Sequence, residues 1–174
     1  MQPKILKRYL AEIIYGGNDG IITTFAVVSG FSGATIMNNN TLKLSIGVVL
    51  LFGFANLFSD ALSMGIGNYL SKRAQSDVSE DNALKSVAIK TSAVTFISFI
   101  IFGVLPLLPY IMGIEEAKLA FALSIFTTFI ALLLLGLFKG LVIKKKILAS
   151  IIETILIGGL AAFVAFLVGV LFKV

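Results

Sequence analysis

Asn56-Leu57-Phe58-Ser59-Asp60-Ala61-Leu62-Ser63-Met64-Gly65-Ile66-Gly67-Asn68 combines two opposed features. The stretch sits inside an apolar block, about residues 44–70, and crossing a bilayer takes roughly 20 such residues. Yet Asn56, Asp60, Met64 and Asn68 recur at every fourth position. On a helix that spacing stacks side chains along one face. A carboxylate at mid-membrane costs roughly 2.5–3.5 kcal/mol on insertion scales, so an intramembrane acid needs a partner or a task.

Outward from this block, four more are long enough to cross: about residues 10–37, 87–112, 117–142 and 148–172. An open chain in lipid satisfies its backbone only as a helix. The fold class expected is an all-α integral membrane protein, one five-helix domain over residues 1–174. The linkers are short: Asn38 to Asn40, a polar loop at 71–85, a turn at 113–116, and Lys144 to Lys146. Pro106 and Pro109 should end or kink the third helix. Gly16, Gly17 and Gly20 allow two readings of Asn18-Asp19-Gly20: a break in the first helix, or a turn or cap.

Composition agrees. Of 174 residues, 58% are hydrophobic and 13% charged, against roughly 25% charged in soluble domains. There is no Cys and no His, so thiolate nucleophiles, thiolate metal sites and the usual general base are excluded. No phosphate loop, nucleophile motif or nucleic-acid module is visible, and neither an enzyme nor a nucleic-acid partner is expected. The net charge of +5 comes from bases that flank apolar blocks. Eleven of the 14 (Lys4, Lys7, Arg8, Lys72, Arg73, Lys85, Lys90, Lys139, Lys144, Lys145 and Lys146) fall on one side of a five-span topology; Lys43, Lys118 and Lys173 fall on the other. The positive-inside rule then makes the N-terminus cytoplasmic and the C-terminus external or lumenal.

Asp19, Asp60 and Glu153 interrupt apolar stretches. At 1.5 Å per residue, Asp19 lies roughly 16 Å from Arg8 and Asp60 roughly 18 Å from Lys72, which is similar depth on antiparallel helices. Glu153 is about 10 Å past Lys146, nearer the cytoplasmic mouth. Hard oxygens joined by one thioether suit a borderline divalent metal such as Fe²⁺ or Mn²⁺. The alternative is structural: Asn and Asp lock neighbouring helices, Met64 fills space, and Glu153 pairs with a nearby lysine. Small-residue rows (Ala26, Gly30, Ala34; Ala161, Ala165, Gly169) read as packing seams.

The segment from Asn18-Asp19-Gly20 through Ser29-Gly30 resembles the first helix of the vacuolar iron transporter family. Asn56 through Ser71 resembles its second, and Glu153-Thr154-Ile155-Leu156-Ile157-Gly158-Gly159 its last. The resemblance implies a dimer with a metal path along the subunit interface. It implies Fe²⁺, sometimes Mn²⁺, carried out of the cytosol in exchange for protons, with the ion as substrate and no resident cofactor. Its functional positions correspond to Asp19, Asp60 and Met64, and less closely to Asn56 and Glu153. Two departures stand out. Only residues 71–85 occupy the place of a Glu-rich cytoplasmic domain, and Asn68 stands where the family is often acidic. Such a short form fits a prokaryotic plasma membrane; otherwise an organelle membrane is expected. The rivals are a non-transporting helical scaffold or lipid-binding module, and a passive metal channel.

Overall fold

The computed structural model describes residues 3–36, 46–80, 82–144 and 146–171. A short α1 (Pro3–Arg8) leads into α2 (Leu10–Ile36), then α3 (Ile46–Ser79) and α4 (Asn82–Gly103). A 3-10 turn (Leu105–Leu107) and α5 (Leu108–Ile111) precede α6 (Ala117–Ile143) and α7 (Ile147–Leu171). The described residues contain no strand. The expected linker at Asn38 to Asn40, with Lys43, Lys145 and Lys173, lies outside them.

Four helical stretches are long and apolar enough to cross a membrane: Ile46–Ser79, Ala83–Ile111, Ala117–Ile143 and Ile147–Val168. The first expected span, α2, is not among them. It has 27 residues, about 40 Å at 1.5 Å each, but its first half carries Glu12, Asn18 and Asp19. It occupies the middle of the bundle, packed against α3, α4, α6 and α7.

The glycines of α2 do not break it. The helix is continuous, and a Cβ at Gly16 would strike the Thr95 carbonyl while one at Gly20 would strike the Phe99 backbone. Their absent side chains let α2 and α4 cross in backbone contact, as small residues do between membrane helices. Where α2 and α4 meet α6, Ile21 packs with Ala131, Leu132 and Leu135. Farther along, Phe25 and Val28 pack with Val49, Leu107 and Phe121.

Residues 71–85 are not the polar loop expected. Helix α3 runs on to Ser79 and α4 starts at Asn82, with Glu80 after α3 at φ 54°. The segment has no Gly or Pro, and polar residues such as Lys, Arg and Gln propagate a helix well. Its polarity marks a helix end leaving the membrane. The prolines act as expected: α4 stops at Gly103, Pro106 sits in the 3-10 turn and Pro109 in α5. Ser124 Oγ on α6 donates to the Pro106 carbonyl (2.7 Å) and ties this break to the bundle. Gly113 then turns the chain at φ 73°.

Candidate functional site

The polar row of α3 lies at the edge of its packed face. Leu57, Ala61 and Gly65 are buried, while Phe58, Leu62 and Ile66 are exposed. Asn56, Asp60, Met64 and Asn68 flank the buried stripe on its other side and are all half-buried. Within the row, Asn56 Nδ2 donates to Asp60 Oδ2 at 2.9 Å. Asn68 Nδ2 donates to Thr95 Oγ1 of α4 at 2.7 Å, and that hydroxyl donates to the Thr91 carbonyl.

Helix α2 faces the row antiparallel. Asp19 is half-buried and within reach of the Asp60 charge. Neither aspartate forms an ion pair among the described residues. Two neighbouring carboxylates disfavour double ionisation unless a cation or a proton joins them. Met64 rests against the cluster of Leu57, Ala61 and Phe99, and it also lines a cleft of about 510 Å³ with Tyr15, Asn68 and Lys72. Asp19, Asp60, Asn56 and Met64 therefore gather along one α2–α3 seam. Among the described residues, no group of three or more His, Cys, Asp or Glu forms a closed metal cage. Two acids, an amide and a thioether make a thin donor set, better suited to an ion in passage than to a resident one.

Glu153 stands apart. It is exposed on α7 and accepts from Lys139 Nζ of α6 at 2.8 Å. The pair lines a separate cleft of about 490 Å³ with Lys146 and Ser150. Helix α7 packs on α2 and α6.

One acid went unnoticed in the sequence. Glu12 opens α2, is 92% buried by its 8% exposure, and lines the same cleft as Met64. Its Oε1 lies 3.7 Å from Lys72 Nζ, and its Oε2 is buried without a hydrogen-bond partner among the described residues. The available signal was its spacing: seven residues before Asp19, two helical turns away on the same face.

Apolar helices long enough to cross a bilayer, around a seam that carries half-buried and buried acids, define an integral membrane protein. The comparisons narrow this further. The chain belongs to the VIT family, whose profile matches residues 10–88 and 79–170. The two pieces overlap where α3 ends and α4 begins. A vacuolar iron transporter of Plasmodium berghei (strain Anka) is 29% identical over an alignment of 235 positions, covering 96% of this chain and 83% of the relative. One from Centaurea cyanus is 26% identical, covering 89% and 84%. One from Toxoplasma gondii reaches 43% identity over 72 residues, covering 41% of this chain and 21% of its own.

Proposed function

We propose that the protein is a metal transporter moving Fe²⁺, with Mn²⁺ as a second cargo, out of the cytosol in exchange for protons. The observation that carries this reading is the pair Asp19–Asp60, two half-buried acids on the packed helices α2 and α3, neither of which has an ion-pair partner among the described residues. Membership of the VIT family and relatives named vacuolar iron transporters supply the substrate class. Asp19 and Asp60 hold the ion by charge. Asn56 steadies Asp60 through its amide N–H and offers its carbonyl oxygen. Met64 supplies the soft donor that separates transition metals from Mg²⁺ and Ca²⁺, which prefer oxygen alone. Glu153 meets the incoming ion at the mouth, exchanging Lys139 for it. A carboxyl group away from water favours its protonated form and a bound cation favours its ionised form, so one site alternates between metal and proton.

In this reading α2 is the fifth span. The surrounding α3, α4, α6 and α7 hide its polar first half from lipid. Five crossings put the N-terminus in the cytosol, on the side with eleven of the 14 bases. The half-buried row, flanked by exposed Ser59, Ser63 and Gly67, is costly against lipid, and a second copy laid along α3 covers it, giving a homodimer.

The test is Fe²⁺ and Mn²⁺ uptake into proteoliposomes under imposed pH gradients, in either direction. Flux that follows the proton gradient is expected. Flux indifferent to it would replace the exchanger with a channel. No flux from folded protein would overturn transport in favour of a scaffold.

A further inference from the structure

Glu12 has a geometry that a structural ion pair does not need. Its carboxylate is nine-tenths buried, its nearest cation among the described residues is too distant for a hydrogen bond at 3.7 Å, and its second oxygen has no partner among them. Leaving a buried acceptor unsatisfied is unfavourable, and native proteins seldom do so without cause. A cleft of about 510 Å³ opens beside it, lined also by Met64, Asn68 and Ser71. Asn68 has committed its N–H to Thr95, which leaves its carbonyl oxygen as an acceptor. Carboxylate, amide oxygen, hydroxyl and thioether are donors for a borderline divalent cation. Lys72 is the counter-charge, but its side chain is 30% exposed, and a flexible lysine stem can carry its ammonium out to water.

We propose that Glu12 is a second divalent-cation station at the start of the α2–α3 seam, and that the Lys72 ammonium is a tethered occupant which the metal displaces. The station lies seven residues, about 10 Å along the helix, before Asp19. Its role as a waiting position rests on the transport reading; its existence as a site does not. Lys72 gives the station a threshold. Metal binds only when it outcompetes the ammonium, which keeps the seam closed at low metal concentration.

The two partners should respond with opposite sign. The probe is Mn²⁺, followed by loss of its free-ion electron paramagnetic resonance signal on the full chain in detergent, with Asp60→Asn as background to silence the deeper site. Lys72→Gln should tighten the remaining Mn²⁺ binding about fivefold, because an ion pair of this exposure competes only modestly. Lys72→Arg keeps the competitor and should not tighten it. Glu12→Gln should remove the binding while the melting temperature holds. Unchanged or weaker binding in Lys72→Gln overturns the proposal, and so does Mn²⁺ binding that survives Glu12→Gln. Failure of the transport reading has a different signature: Glu12-dependent Mn²⁺ binding in a wild-type protein that moves no Fe²⁺ or Mn²⁺ across liposomes.

Discussion

Lys139 Nζ lies 2.8 Å from Glu153 Oε2, while Lys72 Nζ stands 3.7 Å from Glu12 Oε1. Both pairs join neighbouring helices near the basic end of the bundle. The Glu153 side chain is 57% exposed and that of Glu12 is 9% exposed. The exposed pair is closed, the buried one is open with an orphaned oxygen. Burial should favour the opposite, since an unsatisfied charge is tolerated in water and penalised inside. The contrast separates two seams. The α6–α7 seam is a packing joint whose exposed salt bridge can open to solvent or to an arriving ion. The α2–α3 seam carries Glu12, Asp19 and Asp60, the acids that the proposed transport and the proposed second station assign to a cation.

The largest expected effect falls on the α2–α3 seam. Asp19→Asn and Asp60→Asn should each lower Fe²⁺ uptake on the order of 100-fold or more, since even outer-shell partners of a metal cost roughly 10–100-fold when lost. Size-exclusion profiles should stay those of the wild type. Next comes a test of the packing joint. A Cβ at Gly136 would lie 2.8 Å from the Ile151 Cα, so Gly136→Ala should cost about 1–3 kcal/mol by overpacking. Thermal melting should show that loss, with the order of metal competition unchanged. Met64→Leu is the mirror case. Stability should fall by less than about 1.5 kcal/mol, as for other volume-conserving swaps, while Mg²⁺ and Ca²⁺ compete better against Fe²⁺ uptake. If Gly136→Ala changes the competition order and Met64→Leu does not, the two seams have been assigned the wrong way round. The smallest effect belongs to Glu153→Gln. An exposed pair contributes roughly 0.2–1 kcal/mol, so melting should barely move and uptake should fall less than about fivefold.

Much of the fold was legible because lipid imposes a simple rule. Runs of about 20 apolar residues must be helices, and the second to fifth blocks correspond to the four stretches long and apolar enough to cross. Legibility failed where polarity was equated with a loop: residues 71–79 are polar and still helical, as the end of α3. Between Gly16 and Gly20 the sequence left a break and a cap open; neither is present, because what those glycines meet is the α4 backbone, far away in the chain. The α3 row was visible from its spacing of four, a local property. Glu12 was not, because what makes it unusual is its burial and the position of Lys72, 60 residues later by their numbers. Similarly, a lysine partner for Glu153 was foreseeable from nearby charge, but Lys139 comes from the preceding helix.

The most direct test of the central claim puts wild type and Asp60→Asn in parallel anaerobic proteoliposomes, with Fe²⁺ uptake and internal pH recorded together. The account predicts Fe²⁺ influx with internal alkalinisation in the wild type, and neither signal in a folded Asp60→Asn protein. Wild-type rates of Fe²⁺ influx through Asp60→Asn would contradict it.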